Sequence, residues 1–420
     1  MDLLTNEVVN ARFSVNGREY DAPSAPIAVI CIDGCADEYL STSLAKGYMP
    51  NLAKMLQTGH RSMVRGALPS FTNVNNSAIV TGCPPSKTGI GGNYILDPET
   101  GQEVMTNSSK FLRLETILAA AANAGRKVAM VTAKDKLREL LSKNMDGISF
   151  SSERVDEVSL EVNGIEDVVS FVGTKPNIYS GDASIYVLKS GVWLISSGHA
   201  DFCYLTLTDF MQHKFAPEAQ ESLEFYREID VCLGQLLDLG CIVAITADHG
   251  MNAKCDVDGN PNVIYLESEL IDNFGPGIKV ICPITDPYVV HHGALGSAVT
   301  VYVSEHLELP PISKWISNLD GVAEVHNRHS ALLNLQLPED RIGDLFVLAS
   351  RDYVIGRTRE HHDLDQLQGR LRSHGGRYEE MVPLVLSHEL NEEYYRKSQG
   401  DPRNFDVFDF VCNGVVVEKS

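Results

Sequence analysis

Three short segments of the chain carry acidic and imidazole side chains directly after runs rich in β-branched apolar residues. They are CIDG at 31–34, LTDFMQHK at 207–214 and TADHG at 246–250. Carboxylate oxygen and neutral imidazole nitrogen, without thiolate, suit zinc and, with lower affinity, manganese or iron. Together with Thr72 and His374, these segments supply enough ligands for two metal ions. Two adjacent cations are typical of enzymes that attack a phosphorus centre.

The positions of the acidic residues predict that they converge. Asp33, Asp209 and Asp248 each lie at or just beyond the end of a predicted strand, and an open parallel sheet binds its ligands outside the carboxyl ends of its strands. Asp209 and His213 are four residues apart, so one helical turn places both on one face. Asp248 and His249 converge only if the chain turns there. A single aspartate after a strand is more often a cap or a turn residue. Three of them, two with histidine partners, favour a metal site.

Residues 66–93, GALPSFTNVNNSAIVTGCPPSKTGIGGN, place hydroxyl groups at the start of a predicted helix. Ser70 or Thr72 could serve only as a helix N-cap. The same position also exposes a hydroxyl to free backbone N–H groups and to the positive end of the helix dipole, which favour a bound phosphoryl group and an alkoxide. Threonine is a poor nucleophile at neutral pH. A catalytic role for Thr72 therefore requires a nearby metal ion.

The elements that position these residues alternate between strands and helices up to about residue 252. This alternation predicts an α/β fold with a central, mainly parallel sheet flanked by helices. A hairpin is predicted at residues 12–20, with Asn16-Gly17 as its turn. The predicted strands are Pro26–Ile32, Lys127–Thr132, Phe202–Leu207 and Cys241–Ala247. Three helices are predicted. The first begins near Asn51 and could be capped by Gly59, the second covers about Arg113–Asn123 and ends at Gly125, and the third runs from Pro217 to about Leu239.

The pattern changes between about residues 253 and 369, where short strands surround a helix at Ile312–Leu319. Such a mixture is typical of an α+β insert. If His374 belongs with the ligands that precede residue 250, the chain must leave the main domain and return to it. We therefore predict a discontinuous α/β metal-binding core at 1–252 and 370–420, with a smaller α+β cap inserted at 253–369. The predicted strands of the cap are Asn262–Leu266, Ile278–Ile281, Ala298–Val303, Val322–Asn327 and Asp344–Ala349.

The composition excludes several classes of partner. The 420 residues carry a formal net charge of −21, which argues against nonspecific binding to nucleic acid or to anionic membranes. The N-terminal segment lacks a basic stretch followed by an apolar one, and no apolar run approaches the length of a membrane span. We therefore expect a cytoplasmic protein. The nine cysteines lack CxxC spacing, so they indicate neither a disulfide framework nor a thiolate zinc site.

The order of these motifs resembles the two-metal hydrolases of the alkaline phosphatase superfamily. PSFTN followed by IVTGCPPSKTGI is similar to the nucleotide pyrophosphatase/phosphodiesterase branch, in which threonine is the nucleophile. The resemblance implies an alkaline phosphatase-like fold and two Zn²⁺ per chain, with Mn²⁺ or Fe²⁺ as alternatives. It further implies that one ion is held by Asp209, His213 and His374, and the other by Asp33, Asp248, His249 and the Thr72 oxygen.

Two further segments, GGNY at 91–94 and VTAKDKLR at 131–138, resemble the phosphonoacetate hydrolases of this superfamily. A KxK pair after a strand is more often a solvated helix start, although a helix N-terminus favours acidic residues over lysine. The resemblance implies that Lys134 and Lys136 bind a substrate carboxylate, and that Asn93, Thr72 and His213 also bind the substrate. The implied reaction cleaves the carbon–phosphorus bond of phosphonoacetate to acetate and phosphate through a phosphothreonine at Thr72.

Two other functions stay open from the sequence. A phosphodiesterase or nucleotide pyrophosphatase would use the same metals and Thr72, but it would require an aromatic slot rather than paired lysines. A noncatalytic metal-binding protein descended from such a hydrolase would have lost a ligand or the nucleophile, whereas this chain retains the full set. His291-His292 could reach the site from the cap, and HHDLD at 361–365 could form a third metal site. We interpret the first pair as loop residues and the second motif as a solvated helix start. The sequence is also compatible with a homodimer.

Overall fold

A seven-stranded sheet forms the centre of the computed structural model, which describes residues 10–285, 293–362, 364 and 370–417. Numbered along the chain, its strands are β1 Ile27–Cys31, β2 His60–Arg65, β3 Val128–Thr132, β4 Ile148–Ser151, β5 Phe202–Thr206, β6 Ile242–Thr246 and β7 Met381–Leu386. Their spatial order is β2-β7-β6-β1-β5-β3-β4. Strands β6, β1, β5, β3 and β4 are parallel, β7 is antiparallel to β6, and β2 is antiparallel to β7. The mainly parallel sheet predicted from the sequence is confirmed.

Helices connect and flank these strands. The predicted hairpin forms from Ala11–Val15 and Arg18–Ala22, and both turn residues, Asn16 and Gly17, have positive φ. None of the helices in the described residues is long and apolar enough to cross a membrane. The helices outside residues 253–369 are Asp37–Ala45, Pro50–Met55, Thr72–Thr81, Pro85–Thr88, Ile117–Asn123, Asp135–Leu141, Leu160–Asn163, Val168–Val172, Asp182–Ser196, Phe210–Lys214, Gln220–Asp238, Glu392–Ser398 and Val407–Asp409.

Two predicted helix boundaries are wrong. The helix near Asn51 ends at Met55, and Gly59 does not cap it. Gly59 instead lies at the entry to β2, where a side chain would collide with the carbonyl oxygen of Leu386. The next predicted helix begins at Ile117 instead of Arg113, because the Thr116 hydroxyl accepts the Ala119 N–H as an N-cap. The sequence alone reveals neither the Thr116 cap nor the pairing of the strand that follows Gly59.

A second sheet of four antiparallel strands lies within residues 253–369. Its strands are Ile278–Ile281, Ala298–Val303, Leu345–Ala349 and Val322–Asn327, in that spatial order. Two short strands mark the ends of this part of the chain, because Asn252–Ala253 pairs with Arg372–Ser373. The division into core and cap at 253 and 369 stays a prediction. The helices here are Leu266–Phe274, Leu309–Ser317 and Arg328–Leu335.

The cysteines behave as small apolar side chains. All nine are free, and all except Cys255 are buried. Burial raises the pKa of the Cys35 thiol to about 12 and that of the Cys282 thiol to about 12. These thiols therefore stay protonated and contribute to packing.

Candidate two-metal active site

Three adjacent parallel strands bring the acidic residues together. In the sheet register, Cys31 at the end of β1 lies beside Thr206 of β5 and Thr246 of β6. Asp33, Asp209 and Asp248 follow these strand ends by two or three residues. All three side chains are buried, with no more than 4% of the residue surface exposed. The sheet therefore delivers three carboxylates to one edge, as the sequence predicts.

Asp33, Asp248 and His249 form one group of potential metal ligands, whose ligand atoms lie within 4.8 Å of one another. The His249 Nε2 lies 3.2 Å from Asp33 Oδ1 and 3.8 Å from Asp248 Oδ2. Asp33 Oδ1 is buried, and among the described residues its close polar neighbour is this His249 nitrogen. The opposite ring nitrogen, His249 Nδ1, donates to the Gly250 carbonyl oxygen at 2.9 Å. That bond fixes the tautomer that presents Nε2 to the carboxylates.

Asp209, His213 and His374 form the second cluster. The Asp209 Oδ2 lies 2.9 Å from His213 Nε2 and 3.6 Å from His374 Nε2. Backbone carbonyl oxygens fix both rings, because His213 Nδ1 donates to Arg372 O and His374 Nδ1 donates to Ser70 O, each at 2.7 Å. Each histidine therefore presents Nε2 to the same space.

His249 lies between the two clusters. Its ring stacks on that of His374 at a centroid separation of 3.5 Å, and its ligand atom lies within 4.8 Å of those of Asp209 and His374 as well. The predicted partition of ligands assigns His249 to Asp33 and Asp248 alone. The geometry brings together all six predicted carboxylate and imidazole ligands without deciding that partition.

Thr72 is the first residue of its helix, which places its hydroxyl beside the ligands. Its Oγ1 lies 3.4 Å from His249 Nε2, and the side chain is partly exposed. Ser70, the other candidate hydroxyl, is fully buried and donates to the Gly376 carbonyl oxygen at 2.9 Å. Ser70 therefore stabilises the loop after His374, while Thr72 faces the site.

The electrostatics of the site fit bound cations. Burial, reinforced by Asp209 and Asp248, holds the pKa of Asp33 well above its usual range. Burial opposes the charged form of Asp209, but its interactions with His213 hold the pKa of this carboxyl well below the usual range. Burial also opposes the charged form of His249, yet Asp248 and Asp33 raise its pKa to about 10. Buried charges of one sign need pairing or metal coordination, and oxygen with imidazole is a donor set for divalent zinc, manganese or iron.

The predicted substrate-binding residues lie at the same edge. Lys134 precedes the helix Asp135–Leu141, and its Nζ is 3.8 Å from Asp209 Oδ1. Lys136 lies in the first turn of that helix, and burial, with the neighbouring charge of Lys134, lowers its pKa to about 7. Asn93 lies near the start of the Thr72 helix, because its Oδ1 accepts the Asn73 N–H at 2.9 Å. Lys134 therefore lies beside a predicted ligand and Asn93 beside the Thr72 helix. Lys136 lies close enough to Asp209 and Asp33 for their charges to act on its pKa.

His361 and His362, which the structure describes, make local contacts away from the ligand clusters. Both ring nitrogens of His362 are used locally, since Nε2 accepts the Arg357 N–H and Nδ1 donates to Gly293 O, each at 2.8 Å. His361 contacts the Thr358 hydroxyl at 2.9 Å. His291 and His292, together with Asp363 and Asp365, lie outside the described residues.

The groups that orient the ligands were not predicted from the sequence. The amide of Asn76 donates to Asp248 Oδ2 at 3.1 Å, and the backbone oxygens of Ser70 and Arg372 fix His374 and His213. Backbone contacts leave no mark in side-chain types. Asn76, however, lies four residues after Thr72, and this helical spacing could have revealed it.

Comparisons with known proteins agree with this fold. Crystal structures of phosphonoacetate hydrolase from Sinorhizobium meliloti 1021, in complex with phosphonoformate and with phosphonoacetate, match at a TM-score of 0.91 and 40% identity. Each match covers 97% of this chain and 100% of the other. The resemblance predicted from the motifs is confirmed. Murine ectonucleotide pyrophosphatase/phosphodiesterase 5 shares the fold at a TM-score of 0.62 and 15% identity, over 94% of this chain and 97% of that one.

A curated relative and a family model complete the comparison. An uncharacterized pyrophosphatase/phosphodiesterase of Schizosaccharomyces pombe is 22% identical over 256 residues, which is 55% of this chain but only 45% of that protein. The family model described as type I phosphodiesterase/nucleotide pyrophosphatase matches residues 27–377. The chain belongs to the type I phosphodiesterase/nucleotide pyrophosphatase family.

Proposed function

We propose that this protein is a metal-dependent hydrolase that cleaves the carbon–phosphorus bond of phosphonoacetate into acetate and phosphate. The observation that carries the proposal is the position of Lys134, whose ammonium lies 3.8 Å from Asp209 Oδ1 at the edge of the ligand cluster. A phosphate ester offers no carboxylate to such a lysine, whereas phosphonoacetate offers one two bonds from phosphorus. The 40% identity to a phosphonoacetate hydrolase over 97% of the chain supports the same substrate.

We assign the cation site to Asp209, His213 and His374 on one side and to Asp33, Asp248, His249 and Thr72 on the other. The buried Asp33 Oδ1, which faces the His249 Nε2 at 3.2 Å, supports this assignment. Two ions bound there, zinc by preference and manganese or iron as alternatives, would supply Lewis-acid activation of a hydroxyl and neutralise phosphonate oxygens.

In the first step, the Thr72 oxygen attacks phosphorus in line with the leaving carbon. The O–P bond forms, the P–C bond breaks, and the bonding electron pair passes to the methylene carbon. The Thr72 hydroxyl proton passes to solvent water as the oxygen attacks. The positive end of the Thr72 helix dipole favours the bound phosphonate, and we assign Asn93 and His213 as further contacts.

The leaving group determines why lysines are needed. A carbanion is a poor leaving group, but here it delocalises into the adjacent carboxylate as an enolate. Lys134 and Lys136 would stabilise the negative charge that grows on those oxygens as the bond breaks. Such stabilisation is stronger in the transition state than in the ground state, so it accelerates the reaction rather than merely binding substrate. Protonation at carbon then yields acetate.

In the second step, water hydrolyses the phosphothreonine. The water oxygen forms a bond to phosphorus, the Thr72 O–P bond breaks, and the Thr72 oxygen regains a proton. Phosphate leaves. The substrate partner is thus a small anionic phosphonate, and we further propose a cytoplasmic location, no nucleic-acid or membrane partner, and a homodimer as the assembly to test.

The alternative function is phosphodiester or pyrophosphate hydrolysis at the same site. The match of residues 27–377 to a phosphodiesterase family model favours it, because Thr72 and the two ligand clusters would serve equally well on an ester. It does not account for the lysine pair.

Phosphate release distinguishes these functions. The protein is loaded with zinc, manganese or iron and assayed on phosphonoacetate and on a nitrophenyl phosphodiester, with and without chelator. Our proposal predicts chelator-sensitive release of equimolar acetate and phosphate from phosphonoacetate, faster than diester cleavage. Diester cleavage without phosphonoacetate cleavage would support the alternative. No chelator-sensitive activity on either substrate would favour a noncatalytic metal-binding protein.

A further inference from the structure

A buried asparagine connects the Thr72 helix to Asp248. Asn76 lies one helical turn after Thr72, and its side chain is fully buried. Its Nδ2 donates to Asp248 Oδ2 and to the Thr72 carbonyl oxygen, each at 3.1 Å. Its Oδ1 accepts from the hydroxyl groups of Tyr204 at 2.7 Å and Thr206 at 2.9 Å. All four hydrogen-bonding positions of the amide are therefore used.

The chemistry of these partners fixes the orientation of the amide. A backbone carbonyl and an ionised carboxylate only accept hydrogen bonds, so the NH₂ group of Asn76 must face Thr72 and Asp248. The hydroxyl groups of Tyr204 and Thr206 can donate, and they meet the amide oxygen. A flipped amide would place its oxygen against the Asp248 carboxylate. Only one of the two orientations is therefore compatible with the site.

The Asn76 side chain donates a hydrogen bond to Asp248 Oδ2. The other oxygen of this carboxylate, Oδ1, accepts the backbone N–H groups of Gly34 at 3.2 Å and His249 at 3.0 Å. Groups that hydrogen-bond to a metal-binding carboxylate orient it and tune its interaction with the metal. Substitution of Asn76 can remove one of these donors while leaving the backbone donors in place.

Helix stability alone does not explain an asparagine at this position. Asparagine is among the less favourable residues in a helix interior, and a buried amide requires partners for every polar atom. The two partners of Nδ2 are the backbone of the proposed nucleophile and a proposed metal ligand. The two partners of Oδ1 belong to β5, the strand that leads to Asp209.

We propose that Asn76 is a positioning residue that orients the Asp248 carboxylate and sets its distance from Thr72. It contacts neither the substrate nor a reacting atom. The inference rests on the proposed function only in treating Asp248 as a metal ligand and Thr72 as the nucleophile. Asn76 therefore acts on the site through these two residues.

The test compares the Asn76→Leu and Thr206→Val variants. Asn76→Leu keeps the branched outline of the side chain, is larger, and removes the donor to Asp248. Thr206→Val removes a hydrogen bond from the other side of the same amide and keeps that donor. We expect Asn76→Leu to weaken the binding of one of two Zn²⁺ ions by about 10- to 100-fold in calorimetric titration. We expect its kcat for phosphonoacetate to fall to a similar extent with KM changed less than about threefold. Thr206→Val should retain both metal affinities.

Parental affinities for both metals and parental kcat in a folded Asn76→Leu protein would overturn the proposal, as would equal losses in Asn76→Leu and Thr206→Val. If the leucine variant fails to fold, Asn76→Ser is measured in the same titration, because it is smaller and also lacks the amide donor. Metal titration keeps this test separate from the reaction assignment. If the parental protein binds two metals without cleaving phosphonoacetate, the proposed function fails, while the metal titration still tests Asn76.

Discussion

Replacement of Lys134 by alanine tests why the site holds a lysine at all. Its ammonium lies 3.8 Å from Asp209 Oδ1, and 21% of the side-chain surface is exposed. The substitution therefore has two effects. It removes a positive charge beside a proposed metal ligand, which affects every substrate, and it removes a contact that we assign to the substrate carboxylate, which affects only phosphonoacetate.

The second effect has a definite size. A hydrogen bond to a charged group contributes about 1.5–3 kcal/mol, and about 1.4 kcal/mol corresponds to a tenfold change in rate. We therefore expect kcat/KM for phosphonoacetate to fall by about 10- to 150-fold more than kcat/KM for a nitrophenyl phosphodiester. The general loss caused by the altered charge around Asp209 cancels in this ratio. Lys136→Ala should show the same selective loss.

The matched control is Lys127→Ala. Lys127 precedes β3 at the opposite end of the strand from Lys134, and it is exposed, with its Nζ donating to Gly198 O at 3.0 Å. The Lys127→Ala substitution removes the same charge at a position far from the site, so kcat/KM should stay at the parental value for both substrates. Equal losses on both substrates in Lys134→Ala and Lys136→Ala would refute the carboxylate role of the lysines.

Other substitutions test the nucleophile, the protonation of Lys136 and a buried ion pair. Thr72→Ala should abolish phosphonoacetate turnover while metal content, measured by atomic emission, is retained; near-normal turnover would exclude Thr72 as the nucleophile. Because the pKa of Lys136 is lowered to about 7, KM for phosphonoacetate should rise from about pH 6 to pH 8 as the ammonium loses its proton. Lys136→Arg keeps its charge and should flatten this rise, so an unchanged pH profile would count against the assignment. Lys254→Met should lower the free energy of unfolding by about 3–5 kcal/mol in urea denaturation, because the buried Glu379 loses the lysine ammonium that lies 2.8 Å away. A loss below about 1 kcal/mol would contradict this.

The ligand cluster was predictable from sequence because it depends on strand ends. Apolar runs give the strands, and parallel strands put the residues that follow them at one edge. Asp33, Asp209 and Asp248 therefore needed only correct strand assignment to be grouped. His213 followed from its helical spacing to Asp209. His374 depended on resemblance, since no periodicity connects it to the other ligands across more than a hundred residues.

The parts that escaped prediction are set by contacts between distant segments. The helix near Asn51 ends before Gly59 because β2 must pair with β7, which lies more than three hundred residues away in the chain. The two antiparallel strands at that side of the sheet were likewise not predicted. The orientation of the histidine rings depends on backbone oxygens at Ser70 and Arg372. Such partners are visible only once the chain has folded.

The most direct test of the phosphothreonine mechanism is a single-turnover experiment with excess metal-loaded enzyme and phosphonoacetate labelled with ³²P and, in its acetate carbons, with ¹⁴C. Acid quenching at successive times, followed by peptide mapping, measures phosphorylated protein and free acetate together. We predict that ³²P appears on the peptide containing Thr72 as acetate is released, and that this ³²P then passes to free phosphate. Acetate released at the same rate as free phosphate, with no label on Thr72 at any time, would contradict it.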